Sequence, residues 1–295
     1  MTKLNFDFDK LIEEVILSAK YLVTTKLIGN YLSVFKGKGF EFDSFREYTL
    51  NDDSSLIDWK ASMRSEKLLI RNFVEERDLE IFFLIDTSST MLYGSTKEMK
   101  NEYVIKLLAT IAYSSIKAGD KIGCALFTNK VMKDIPLSNN ASQIFSLIDA
   151  LTNTSNYGGI FDLKAALDFL LQNLRKNTLV IIVSDFIMLD NDWISLFEEA
   201  SQKFDLLGFM VRDPRDITLP NVSAEVLIQD PITGEKMLTE PDTIKKAYLK
   251  ANKTEINKIK NSFFKTNSDF ALFVTNSNFM EELLMLFNRR IKKWR

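Results

Sequence analysis

The chain has 295 residues, no histidine and a single cysteine, Cys124. That composition excludes Ser-His-Asp and Cys-His relays, histidine-built zinc or non-haem iron sites, and any intrachain disulfide. Lys and Arg number 38 against 40 Asp and Glu, and the formal charge of -2 offers nucleic acid or an anionic membrane no global attraction.

The first segment reads as an amphipathic helix whose apolar residues are interrupted by Glu13, Glu14, Lys20 and Lys26, which is not a signal peptide. No apolar run approaches the roughly 18–20 residues of a membrane span. With the scarcity of thiols, this leads us to expect a cytoplasmic protein. Lys36 to Phe42 suits extended chain and turns, and residues 1–77 form an N-terminal segment expected to pack on the domain that follows. Within it, Arg46 and Asp58-Trp59 read as a partner surface or, by preference, as a buried pair.

From Leu79 onward strand-like and helix-like segments alternate, the pattern of an α/β fold with a mainly parallel sheet. Leu79–Asp86 is an apolar strand ending in a carboxylate. A helix spans about 97–117, with Val104, Leu107, Leu108 and Ile111 on one face, and Gly119-Asp120 ends it. A strand over 121–128 leads through an Asn-rich break to a helix at about 143–151, then to the polar loop Thr152-Asn153-Thr154-Ser155-Asn156-Tyr157-Gly158-Gly159. Further elements are a helix at 162–174, a strongly apolar strand over 178–185 that also ends in Asp, a helix at 193–204 and a strand at 206–211. The domain closes near 212. A C-terminal extension, 213–295, holds a hairpin over 224–238 and two helices flanking the strand 270–274. Arg289-Arg290 and Lys292-Lys293 near its end read as a basic helix terminus. Cys124, inside an apolar strand, reads as inert.

The informative chemistry is Asp86-Thr87-Ser88-Ser89-Thr90, directly after a buried strand. In an open α/β sheet ligands gather at the carboxyl ends of the strands, where strand order reverses. Asp86 and Asp185 sit at two such ends, and the hydroxyls of Ser88 and Thr90 can turn toward the same point. Hydroxyls, carboxylates and water suit the all-oxygen octahedron of Mg²⁺. The same residue types also serve as helix caps and turns.

Asp86-x-Ser88-x-Thr90, the glycine-bearing loop and Val183-Ser184-Asp185 together resemble the metal-ion-dependent adhesion site of a von Willebrand factor A domain, with Thr90 in place of a serine. Gly39-Phe40-Glu41-Phe42, Arg46-Glu47-Tyr48, Asp52-Asp53, Ile57-Asp58-Trp59-Lys60, Arg64, Ile70-Arg71-Asn72-Phe73 and Glu76 precede it. With Asp230-Pro231 and Thr233-Gly234-Glu235 after it, they resemble the bacterial "domain of unknown function 58" family.

That resemblance implies a von Willebrand factor A (Rossmann-like) domain over 78–212. It also implies a Mg²⁺ or Mn²⁺ site at Asp86, Ser88, Thr90 and Asp185, open to an acidic side chain of a partner, and work beside a MoxR-type AAA+ ATPase. The family's loop carries Gly-Gly-Thr-Asp-Leu. Here aligning Asp162-Leu163 puts Phe161 where the threonine hydroxyl would serve the metal. Phe cannot coordinate it, which leaves a weakened or absent metal site unless Thr152, Thr154 or Ser155 substitutes. Thr154, Ser155 and Tyr157 are candidates for partner contact.

The expected function is thus a non-enzymatic, protein-binding module, with a metal-free scaffold as the alternative. The chain has no Gly-x-x-x-x-Gly-Lys-[Ser/Thr] loop and is not itself the ATPase. A Mg²⁺-dependent phosphohydrolase using Asp86 as nucleophile is disfavoured, because such enzymes want a second Asp where Ser88 stands.

Overall fold

The computed structural model describes residues 13–17, 41–49, 57–65, 67–74, 79–190, 192–222, 224–229 and 234–293. The expectations for 36–40, for Asp52-Asp53 and Glu76, and for the hairpin turn at 230–233 lie outside those residues. The chain divides into two compact units, residues 36–78 and the remainder.

In the smaller unit, strands β1 (Glu41–Glu47) and β2 (Leu69–Val74) pair antiparallel, and a short helix, α1 (Trp59–Ser65), lies between them in sequence. Asp58 starts α1 by accepting the amides of Lys60 and Ala61 at 3.0 and 3.1 Å on one carboxylate oxygen. Such a cap satisfies amide donors that the first helical turn leaves without partners. Ser62, buried, accepts the Leu69 amide at 2.8 Å and ties helix to strand. Of the residues expected to form a buried pair, Arg46 is exposed and Trp59 is 64% exposed, so neither is buried.

The larger unit is built on a six-stranded sheet. Its strands are β3 (Glu80–Asp86), β4 (Lys121–Phe127), β5 (Val131–Ser138), β6 (Leu179–Ser184), β7 (Asp205–Arg212) and β10 (Asp269–Val274), in the spatial order β10-β7-β6-β3-β4-β5. All neighbours run parallel except β4 and β5. Helices α2 (Lys100–Lys117), α3 (Ser142–Thr152), α4 (Leu163–Asn173) and α5 (Ile194–Lys203) connect the strands. A short α6 (Pro214–Ile217), the hairpin β8 (Val226–Gln229) and β9 (Lys236–Thr239), α7 (Pro241–Lys265) and α8 (Phe279–Lys293) follow. The expected α/β class with a mainly parallel sheet is the observed one. Among the described residues no helix is long and apolar enough to cross a membrane.

Both faces of the sheet are covered, so its central strands read as continuous apolar runs rather than alternating ones. The two-residue period of β3 still divides its side chains: Ile81, Phe83 and Ile85 enter one core and Phe82 and Leu84 the other. The first core, mainly aliphatic, is closed by α2, α3 and α8. The second, closed by α4, α5 and α7, is rich in rings: Phe263 stands 4.6 Å from Phe197 and 5.4 Å from Phe270. Gly208 in β7 makes room for this cluster, since a Cβ there would meet the Phe263 ring at 2.6 Å.

Three details depart from the sequence reading. An edge strand, β5, occupies the stretch read as an Asn-rich break. The segment after 212 is no appendage to the sheet, because β10 pairs with β7 along its whole length. Arg290 is not a solvated helix end: it is buried and bonds Asp269 and Asp205, both at 2.6 Å, pinning α8 against two strands. Cys124 is buried, and burial pushes its thiol up to about 12, so it is inert as expected.

Candidate functional site

Beyond β3 the chain passes to β4 on one side, then crosses over to enter β6 on the other. The carboxyl ends of β3 and β6 therefore form the switch point where such sheets hold ligands. Asp86 is the last residue of β3, and Asp185 follows Ser184, the last of β6. Both carboxylates are fully buried.

Each oxygen of Asp86 has a donor. The Ser88 amide reaches Oδ1 at 2.7 Å and the Ser184 hydroxyl reaches Oδ2 at 2.6 Å. Burial, followed by the charge of Asp185, pushes the Asp86 carboxyl up to about 7, against the pull of those hydrogen bonds. Ser88 and Thr90 are buried, and their hydroxyls lie 3.1 Å apart. Thus Asp86, Ser88, Thr90 and Asp185 are brought together as the spacing required.

Asp185 is bound differently. Its Oδ1 accepts the Ile187 amide at 2.9 Å, and its Oδ2 accepts the Lys100 ammonium at 2.6 Å. Lys100 is 1% exposed and also reaches Asp216 at 2.9 Å, with the Tyr93 ring 5.6 Å away. Burial works against its charge, but Asp185 and Asp216 outweigh that cost and hold the lysine above its ordinary value.

Asp216 belongs to a capping box at α6: its carboxylate accepts the Asp213 amide at 2.9 Å, while Asp213 accepts the amides of Ser95 at 2.7 Å and Arg215 at 2.8 Å. One chain of polar contacts therefore joins the end of β6 to the start of α2 and to α6.

The residue replacing the expected threonine is committed elsewhere. Phe161 packs its ring 5.7 Å from Phe127 and 6.1 Å from Phe186, at the upper end of the aromatic core. Phe186 has φ of 52°, uncommon for a bulky residue. It is held there by its amide bond to the Ser184 hydroxyl at 2.7 Å and by burial between Phe161 and Phe263.

The other hydroxyls that could have replaced the threonine are turned to local partners: Thr152 to the Ile148 carbonyl at 2.9 Å and Ser155 to the Asn153 side chain at 2.9 Å. Tyr157 donates to the Leu151 carbonyl at 2.9 Å, and burial raises its phenol. Thr154 begins a 3-10 turn and is half-buried, while Ser155 is exposed. Of the three partner-contact candidates, Ser155 is the one presented outward. The loop is fixed to the end of β3, since Gly158 donates to the Thr87 carbonyl at 2.9 Å and the Ser89 amide and hydroxyl both reach the Gly159 carbonyl.

Whether these donors fit a divalent ion can be judged from distance. At a Mg–O length of about 2.1 Å, adjacent octahedral ligands lie about 3 Å apart, which the Ser88 and Thr90 hydroxyls match. The remainder do not fit. The third hydroxyl is a phenyl ring, the second carboxylate is engaged by an ammonium, and each Asp86 oxygen already accepts a hydrogen bond. As arranged, the cluster lacks the full oxygen donor set of an octahedral divalent-ion site.

The sequence reading missed Lys100, Asp213 and Asp216, and held Ser184 only as part of the Val183-Ser184-Asp185 motif. Asp213-Pro214-Arg215-Asp216 did carry a signal, that of a capping box with proline opening the helix, and Lys100 a weaker one, since a lysine opening a long helix opposes the helix dipole.

Comparison with known proteins gives this arrangement a family. Residues 44–258 match the family model described as "Protein of unknown function DUF58". The chain belongs to this family. An uncharacterized protein of Mycobacterium tuberculosis is 25% identical over 220 residues, 74% of this chain and 69% of the relative. Among solved structures, an aerotolerance-related membrane protein from Bacteroides fragilis aligns with a TM-score of 0.50 at 15% identity, covering 73% of this DUF58 chain and 99% of its own. A von Willebrand factor type A structure from Catenulispora acidiphila aligns with a TM-score of 0.33 at 10% identity, over 49% of this chain and 35% of its own.

Proposed function

We propose that this DUF58 chain is a non-enzymatic protein-interaction module of the von Willebrand factor A type, working in the cytoplasm as an adaptor to a MoxR-type AAA+ ATPase. The observation that carries the reading is the build of the switch point. Three loops that in an enzyme of this architecture would present reactive groups are here bonded to one another, and their functional side chains face inward. Asp86, the only candidate nucleophile at the end of β3, is fully buried with both oxygens bonded, and Ser88 stands where an aspartate phosphatase needs its acid. What remains outward is a surface of loop tips, including Ser155, Ile160 (56% exposed) and Met188 (57% exposed). Exposed apolar side chains of this kind suit a protein partner better than a small substrate.

Of the metal-gated and metal-free forms of this reading, the donor set favours the second. The test is a cross-linked pull-down from the native cell with nucleotide present, using wild type and Ile160→Glu. Recovery of an AAA+ ATPase by the wild type, lost in the folded variant, is expected. Recovery of none by the wild type removes the adaptor assignment. Turnover of a generic phosphomonoester that disappears in Asp86→Asn would replace the module by an enzyme.

A further inference from the structure

We infer that Lys100 is the resident cation of this site: its ammonium, tethered to the first turn of α2, does permanently what an exchangeable divalent ion would do, so the partner surface is locked in one metal-independent state. The inference deepens the reading of the chain as an interaction module and rests on it for the word "partner", but the charge arrangement stands on its own contacts.

Three observations meet at Lys100. First, its placement is costly unless it is used. A lysine at the first position of an 18-residue helix opposes the dipole, and at 1% exposure its charge has also lost its water. Second, the cost is met by two carboxylates at 2.6 and 2.9 Å, from Asp185 at the end of β6 and Asp216 in α6. Those carboxylates lie 31 positions apart in sequence and belong to different elements, so the ammonium bridges them as a divalent ion bridges ligands from separate loops. Third, position 161, in the loop beside these carboxylates, presents a ring packed on Phe127 and Phe186 and no oxygen donor. The ring at 161 and the fixed cation at 100 thus act on one cluster, which has an ammonium in place and one oxygen donor fewer.

The linkage extends outward from the ammonium. Asp216 accepts the Asp213 amide, and Asp213 accepts the Ser95 amide from the segment leading into α2. The tethered charge therefore fixes the loop after β3, the loop after β6 and the turn after β7 in one arrangement. An exchangeable ion would leave that arrangement dependent on metal concentration.

The test measures Mn²⁺ binding and thermal stability on the isolated full chain, with no partner in the experiment, so its failure is distinct from failure to find a partner. Wild type is titrated with millimolar Mn²⁺ by calorimetry and by the loss of the free-ion electron paramagnetic resonance signal. Lys100→Ala, Lys100→Arg and the double variant Lys100→Ala with Phe161→Thr are compared with it.

Wild type is expected to show no saturable binding and no Mn²⁺-dependent change in Tm. Lys100→Ala is expected to melt roughly 10 °C lower in chelator, as removal of one partner from a buried ion pair does, with Lys100→Arg recovering part of the loss. The double variant, if folded, is expected to gain saturable Mn²⁺ binding. Saturable binding by wild type that is lost in Asp86→Ala overturns the inference, even if no Lys100 variant folds. So does a Lys100→Ala protein as stable as wild type in chelator.

Discussion

The ends of β3 and β6 lie side by side in one sheet, and each closes on a fully buried aspartate, but they are satisfied by different means. Asp86 is held by neutral donors, a backbone amide and a serine hydroxyl, and its carboxyl is pushed up to about 7. Asp185 is held by a full positive charge, with a backbone amide on its other oxygen. The difference teaches how a buried acidic pair is kept without an external cation. One member takes a tethered ammonium, and the other sits where a proton can neutralise it near neutral pH.

The largest effect that tests this contrast comes from Asp185→Ala. It strands the Lys100 ammonium on Asp216 alone and should cost about 3–5 kcal/mol in urea unfolding. Asp86→Ala leaves only neutral donors unpaired and should cost about 1–3 kcal/mol. Equal losses would erase the distinction between the two ends. Next in size is Phe161→Thr, which removes a ring packed between Phe127 and Phe186. A loss of about 2–4 kcal/mol is expected, whereas Phe161→Leu should lose less than about 1.5 kcal/mol.

A smaller effect appears in the pH dependence. The folded carboxyl of Asp86 at about 7 lies above its unfolded value of 3.8. Its contribution is therefore intact below the unfolded value and is lost as pH rises through the folded one. Raising the pH from about 5 to about 8 in chelating buffer should cost wild type on the order of 2 kcal/mol, and Asp86→Asn should flatten that dependence. The smallest effect is that of Ser155→Ala, whose exposed hydroxyl bonds only within its own turn: stability should change by less than about 0.5 kcal/mol. A larger change would mean that this loop is part of the core rather than of the contact surface.

Reading the residues alone located much of this. The strands ending in Asp86 and Asp185 were legible because central parallel strands are uninterrupted apolar runs, and the helices between them because their apolar faces repeat. Phe161 was legible as a missing hydroxyl, though not as the end of an aromatic stack, since its ring neighbours Phe127 and Phe186 are set by the tertiary fold.

Strand β5 was hidden for a local reason. It is an edge strand bearing Lys133, Asp134 and Pro136, and only its pairing with β4 makes it a strand. Lys100, Asp213 and Asp216 were hidden for a non-local one: α6 comes near Lys100 only after the sheet has brought the ends of β6 and β7 together.

The position of β10 at one edge of the sheet bears on how the molecule is made. Its pairing partner β7 ends at Arg212, while β10 begins at Asp269 and the helix that covers it, α8, runs to Lys293. During synthesis, therefore, β7 emerges long before its neighbour and waits with an open backbone edge, and the aliphatic face lacks its α8 cover until residue 293 has left the ribosome. An unpaired, apolar strand edge is a template for mispairing. Chains stalled or cleaved between β7 and β10 should therefore aggregate rather than persist as a smaller folded domain.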